Sequence, residues 1–333
     1  SQEHRVSIDV ELHHQGRYRR QGAYAGLSRT EWEIAFQEQS MAIRAIRAFN
    51  ALLYRRRKLE LLEETLTLTQ QTAKLVNDLR PNKFAAADVI LAESDVQDAR
   101  AALGTGRTTL VAAQYDLRRV LGVLEQPFDV HGSLELPGID WSTEALLQGA
   151  IEQRADLRGR QAAVAEAQAR LDLEIRNRWG NPNIGPIYAI DPTQVSSSGV
   201  AFIIPLPVIN RHRGEIQQRE AERARAGLEL RQSEIAVQQD VGAALRHVRE
   251  ARALQQTYEK EVLPRLQGNL DQMQSLLNQA FVDVLRMSAV RRNLIRARDG
   301  YLDALFDVNQ AQADLAAAVG DPALALDPGT PHK

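Results

Sequence analysis

Gly199-Val-Ala-Phe-Ile-Ile-Pro-Leu-Pro-Val-Ile-Asn-Arg-His-Arg-Gly-Glu-Ile-Gln-Gln218 decides how the rest of the chain reads. An apolar, β-branched run turns at Asn-Arg-His-Arg-Gly and becomes a long helix of mixed polarity. Val200, Phe202 and Ile203 suit a strand, whereas Pro205 and Pro207 cannot donate to a ladder, so the strand ends there or lies at an edge. Residues 6–12 repeat the plan: Val6, Ile8, Val10 and Leu12 alternate with Ser7, Asp9 and Glu11, the period of a strand with one apolar face. Gly16-Arg-Tyr-Arg-Arg20 then stands where Asn210-Arg-His-Arg-Gly214 stands in the later copy. Two strand-into-helix junctions in one chain predict a duplicated unit.

Between the junctions lies helix. From about Gly26 to Leu79 no proline interrupts the pattern, a helix of roughly 80 Å at 1.5 Å per residue. Leu52, Leu59, Leu66 and Ala73 recur every seven residues; so do Tyr54, Leu61, Leu68 and Leu75, on a second face. A helix on the surface of a globule needs one apolar face. Two opposed faces predict helical neighbours on both sides, as in a wall. The basic run Arg55-Arg-Arg-Lys58 lies largely between the stripes and reads as a solvated face rather than a ligand site.

Arg80-Pro-Asn-Lys83 breaks the pattern, because proline disfavours helix at the residue before it. A second helix follows from about Ala85 to Leu121, and so short a break predicts an antiparallel hairpin with its tip near residues 80–88. Residues 123–155, punctuated by Pro127, Gly132, Pro137 and Gly138, read as a collar in which Val130–Leu136 is a small strand or a loop. A third helix covers about Ser142–Arg178, with an interruption near Ala155-Asp156. Asn183–Ile190, containing Ile187, is predicted to pair with the opening stretch as a hairpin, and Trp179 and Tyr188 suit an interfacial aromatic belt or ordinary strand ends. After Gly214 a helix runs to about Val262 and is interrupted by Pro264. The last helix carries Met273, Ala280, Met287, Leu294, Tyr301, Val308 and Leu315 on one heptad, and Gly320-Asp-Pro ends it.

The domain plan is therefore a first repeat over 1–122, a collar over 123–155, a second repeat over 156–320 and a flexible tail over 321–333. Glu33-Ile-Ala35 matches Glu234-Ile-Ala236, Phe84 matches Phe281, and Val120-Leu-Gly122 resembles Ala318-Val-Gly320.

Composition narrows the function. Aromatics make up 5% of the 333 residues, which favours long helices in shallow contact over one deep core. A net charge of −2 gives no electrostatic case for nucleic acid. Cysteine is absent, which excludes disulfides and thiolate metal sites. No run approaches 18 apolar residues, the length of a transmembrane helix. The seven histidines are scattered, and His13-His14 has no acidic partner at ligand spacing. Neither a phosphate-binding glycine loop nor a nucleophile elbow is present, so the reading includes no enzyme, metal or cofactor. The chain begins at Ser1 directly before a strand, which suggests upstream sequence.

With that plan in place, the sequence resembles the outer-membrane efflux proteins, the TolC-like channel-tunnels, in the branch serving heavy-metal and drug efflux pumps of the RND type. Ile204-Pro-Leu-Pro-Val-Ile-Asn-Arg-His-Arg-Gly-Glu-Ile216 carries the likeness at the junction. Arg154-Ala-Asp-Leu157 resembles the family's Arg-Pro-Asp-Leu, and Asn181-Pro-Asn-Ile184 its strand opening. Asp88-Val89 with the helix after it, and Tyr301-Leu-Asp-Ala-Leu305 with Gly320, match the returning helices. The resemblance covers about residues 6–320.

It implies a mainly α fold with a small β part: coiled-coil helices forming a periplasmic α-barrel, and strands given to one β-barrel shared by a homotrimer in the outer membrane. Closure is how strands cross lipid without open edges. Val6, Ile8, Val10, Leu12, Ile187, Val200, Phe202 and Ile204 would be the membrane strands' apolar residues. The helical tips, Asn82, Lys83, Phe84 and Ala85 with Asn278, Gln279, Ala280 and Phe281, would dock a periplasmic adaptor protein that joins the duct to an inner-membrane transporter. The family's glycine in that contact motif is missing from both tips. Asp88 and Asp283 would ring a cation-attracting aperture, or else stabilise helix N-termini. The family has four strands per protomer and this sequence offers three, so its first helix and strand would precede residue 1. A soluble coiled-coil scaffold or adaptor explains the heptads as well, but not the strands Val6–Leu12 and Val200–Ile209, nor a repeat that restarts at each strand.

Overall fold

The computed structural model describes residues 2–11, 14–83, 86–123, 129–137, 141–190, 196–204, 212–278 and 284–326. The chain divides into two units: residues 1–37 with 154–237, and residues 38–153 with 238–333.

The first unit holds the sheet. Strands β1 (Gln2–Arg5) and β2 (Ile8–Asp9) both pair antiparallel with β3 (Asn183–Ile190), whose other side pairs with β4 (Ser196–Ile203). β1 and β2 are one strand in register: Arg5 faces Ile187 and Ile8 faces Ile184, so no residue is inserted between them. The break at Val6-Ser7 has a cause. Val6 N–H donates to the Pro186 carbonyl at 3.4 Å, but proline has no N–H to return the bond. Gly185 beside it has the Val6 carbonyl oxygen 1.8 Å from where a β-carbon would stand, so only glycine fits. The strand expected over residues 6–12 thus runs from Gln2 to Asp9 with an interruption, and Leu12 lies outside the described residues.

Helix α1 (Gln15–Lys83) starts eleven residues earlier than its apolar pattern suggested and carries Pro81 in its last turn, where only one ladder bond is lost. Its early glycines are contact points rather than breakers. Gly22 faces Ala169, and Gly26 faces Glu166, on the helix that follows Arg154. α2 is Ala86–Leu121 and α3 is Thr143–Gln153; α4 (Ala155–Asn177) begins one residue later, at the interruption expected there. α5 (Arg213–Thr257) passes through a π-helical turn, Tyr258–Val262, into α6 (Leu263–Asn278). The wider turn ends just before Pro264, whose ring would otherwise meet the carbonyl four residues back. α7 is Val284–Val319. No helix among the described residues is long and apolar enough to cross a membrane.

In the second unit, α1 has neighbours on both faces. Leu59 and Leu62 lie over Gly106 of α2. Tyr54, on the other side, stacks on Phe306 of α7 with ring centroids 4.5 Å apart. The segment 129–137 is loop rather than strand, and its Val130 and Leu134 are buried in the cluster of Leu52, Leu53, Leu117 and Leu305. Asn309 holds it in place, donating to the Leu134 carbonyl at 2.7 Å. Residues 321–326, expected as part of a flexible tail, form a 3-10 turn (Pro322–Ala325) capped by Asp321, with Ala325 buried against Ile43 and Ile46.

Landmarks recur at a constant separation. His14 and His212 both have positive φ (58° and 51°) immediately before Gln15 and Arg213, the first residues of α1 and α5. Leu121 and Val319 end α2 and α7, and Gly122 and Gly320 follow in left-handed conformation. Each of these pairs is 198 residues apart. The junctions therefore align as His14-Gln-Gly16 on His212-Arg-Gly214, correcting the match of Gly16–Arg20 with Asn210–Gly214.

Candidate membrane face and helical tips

The register sorts the strand residues by face, because residues opposite one another in an antiparallel pair point the same way. Ile8, Ile184 and Phe202 form one row, and Val6, Pro186 and Val200 the next. Tyr188 and Ile204 continue this face. It is open to the surroundings: Val200 is 74% exposed, Val6 69%, Ile8 68% and Phe202 60%. Val10, whose N–H donates to the Pro182 carbonyl at 2.8 Å, extends it at 38%. The other face carries Asp9 with Asn183, joined by a 2.8 Å hydrogen bond, and Ser7 with Gly185 and Ala201.

Ile187 belongs to that second face, opposite Gly199. The sequence reading grouped it with the first set, and the register separates it. Ile184, Pro186 and Tyr188 take its place. The alternation of Asn183-Ile-Gly-Pro-Ile-Tyr188 carried this signal, hidden by a proline at an apolar position. Trp179, in the turn before β3, has the Arg178 guanidinium 5.3 Å from its ring.

The junction residues are tied into the same unit. Buried Gln15 donates to Asn181 Oδ1 at 2.6 Å, linking the start of α1 to the entry of β3. His212 Nδ1 lies 3.1 Å from Glu174 Oε1. The Arg-Ala-Asp-Leu motif opens α4: Arg154 forks onto Asp156 at 3.0 and 2.8 Å, and Asp156 accepts from Leu157 N–H at 2.9 Å. Burial of Asp156 opposes its charge, but the Arg154 bonds outweigh it and hold the carboxyl below its usual range.

At the tips, Asn82 and Lys83 end α1 and Asn278 ends α6. Phe84, Ala85, Gln279, Ala280, Phe281 and Asp283 lie outside the described residues. Asp88 lies in the first turn of α2, where a carboxylate meets the positive end of the helix dipole.

The basic run at 55–58 keeps Arg57 exposed, as expected of a solvated face, while Arg56 and Lys58 are partly covered and paired. Arg56 donates to the Val130 carbonyl at 2.7 Å and to Asp129 at 2.6 Å, and Arg57 pairs with Glu60. Lys58 reaches Asp299 at 2.9 Å and Asp303 at 3.2 Å, and donates to the Tyr54 hydroxyl, which itself donates to Asp303. Burial disfavours the ammonium, yet these three partners raise its pKa above the ordinary value. Sequence reasoning missed this lock because its members stand some 240 residues apart. Among the described residues, no group of three histidine, aspartate or glutamate side chains is placed to hold a metal.

No protein-family model matches the chain, and no curated protein is significantly similar to it in sequence. Solved structures are similar throughout its length. The open state of the Neisseria gonorrhoeae MtrE outer-membrane channel superposes with a TM-score of 0.80 at 15% identity, over 98% of this chain and 76% of that one. CusC, described for its conformational changes on folding and transmembrane channel formation, gives 0.78 at 16% identity over 96% and 77%. The Campylobacter jejuni CmeC outer-membrane channel gives 0.72 at 11% identity over 95% and 70%. The chain has the TolC-like fold of the outer-membrane efflux channels.

Proposed function

We propose that this protein is the outer-membrane channel of a tripartite efflux pump, a passive exit duct with no catalytic step. In this reading three copies each contribute strands to one closed barrel, and the helices form a tube in the periplasm. A duplicated unit would account for the 198-residue separation of junctions, helix ends and capping glycines. The observation that carries the reading is the exposed apolar face of Val6, Ile8, Ile184, Val200 and Phe202 on a short sheet that leads straight into long helices. Such a face has its solvent in lipid. The channel folds that match along the chain support it. The tips at residues 82–85 and 278–281 dock a periplasmic adaptor, and an inner-membrane transporter supplies the energy. Asp88 and Asp283 flank the aperture; cargo of metal ions or small organic molecules is chosen upstream by the transporter.

Planar-bilayer recording tests the duct. Purified protein should insert and give discrete conductance steps. A protein that stays in detergent-free solution and never conducts would instead be the periplasmic coiled-coil scaffold.

A further inference from the structure

Where the sheet of the first unit enters the helices, three segments meet: 14–20 at the start of α1, 172–181 at the end of α4 and in the turn after it, and 212–218 at the start of α5. Three contacts knit them together. Gln15 bonds to Asn181, Glu174 lies 3.1 Å from His212, and the Arg176 guanidinium stands 5.6 Å from the Tyr18 ring. The bond from Val10 N–H to the Pro182 carbonyl, at the end of the sheet, lies directly beside them. Together the segments hold six arginines, Arg17, Arg19, Arg20, Arg176, Arg178 and Arg213, against three acids, in a chain whose net charge is −2. All six arginines are exposed. The acidic balance of the whole chain hides this local excess.

The nearby acids do not take up these cations. Glu174 faces His212, Asp172 accepts from Gln168 at 3.0 Å, and Arg19 alone is paired, with Glu11 at 2.6 Å. Among the described residues, none of the other five arginines has a carboxylate within salt-bridge distance. Two of the five are stacked instead: Arg176 on Tyr18, and Arg178 on Trp179 with 5.3 Å between guanidinium and ring. Stacking occupies the flat face of a guanidinium and leaves its N–H edge, which fits two oxygens of a phosphate. Trp179 is itself 52% exposed, an amphipathic ring of the kind that sits at headgroup depth.

We propose that this junction is a binding surface for anionic phospholipids of the leaflet on the helix side of the sheet, with the arginine edges taking the phosphates. The proposal rests on the membrane reading of the sheet. Continuity names the occupant. The exposed apolar face runs down to Val10, beside Pro182, so lipid that covers it brings its headgroups, a layer about 5–7 Å deep, to the level of the arginines. Long arginine side chains reach such a layer from the helix starts while their stems stay against apolar surface. An acidic protein would meet the same charges but has no reason to follow the apolar rows.

Lipid competition tests it. Full-length protein in a neutral detergent is mixed with equal amounts of phosphatidylglycerol and phosphatidylcholine and re-isolated, and the retained lipids are quantified by mass spectrometry. Phosphatidylglycerol should exceed phosphatidylcholine by about fivefold or more, the effect of one arginine near an anionic surface being about fivefold. Arg17→Gln, Arg176→Gln and Arg178→Gln combined should bring the ratio below about twofold. The same charge removed from exposed positions elsewhere, by Arg44→Gln, Arg246→Gln and Arg265→Gln, should leave it unchanged. Protein that carries a detergent belt yet retains the two lipids equally would overturn the headgroup surface and leave the membrane reading standing. Equal loss of preference in both triple variants would do the same. Protein that binds neither detergent nor lipid would overturn both.

Discussion

Gly185, Pro186 and Ile187 show how much can turn on one register position. Proline withholds one bond, glycine admits the Val6 carbonyl, and the isoleucine beside them faces away from the apolar rows. Gly185→Ala must push the first strand off β3, at a cost of about 3 kcal/mol or more for so close a backbone contact. Gly199→Ala, with open space around it, should change stability by less than about 1 kcal/mol. Denaturant unfolding in detergent compares the two, and equal effects would refute the pinch. Asp156 gives a pH-dependent case. Its carboxyl is held low in the folded chain, so its contribution is present above the unfolded value and is lost as pH falls through the folded one. Asp156→Asn keeps an acceptor but removes the charge that Arg154 and the helix start favour, and should cost about 1 kcal/mol at pH 7. The gap between variant and wild type should close below about pH 4. A gap that persisted into acid would show that charge is not the cause. The motif was legible in the sequence; the parity of Ile187 was not, since a proline on the apolar face disguised the alternation.

At the scale of elements, heptads revealed α1, α2 and α7 because burial on a helical face repeats in the sequence. What they missed were features set by partners far along the chain. The pattern placed the start near Gly26, yet Gly22 and Gly26 let α1 approach Ala169 and Glu166, and the helix begins at Gln15. Pro264 marked an interruption, but its form, a π turn against Gly300, depends on α7. The two-faced reading of α1 is matched by α2 on one side and α7 on the other, and the lock at Tyr54 measures the second contact. Tyr54→Phe keeps the stack on Phe306 and removes the hydroxyl shared by Lys58 and Asp303, which should lower stability by about 1–2 kcal/mol. Lys58→Met, which takes the cation from the half-exposed Asp299 and Asp303, should cost about 1 kcal/mol. Thermal unfolding of the two variants checks this, and a neutral Tyr54→Phe would mean that the lock is only packing.

For the whole molecule, the constant 198-residue spacing of junctions, helix ends and glycine caps agrees with a chain written twice. The sequence made the order of the plan legible, and Glu33-Ile-Ala35 with Glu234-Ile-Ala236 hinted at the offset, but only backbone geometry aligned the two histidines. Among the described residues, three aligned strand paths with an exposed apolar face leave open edges, which soluble proteins avoid and a shared barrel removes. Light scattering of the detergent-purified protein, resolving protein mass from bound detergent, tests that claim most directly. The account predicts three chains carrying a detergent belt. A monomer or dimer that binds no detergent would contradict it, and the apolar rows of the sheet would then belong to a protein partner rather than to lipid.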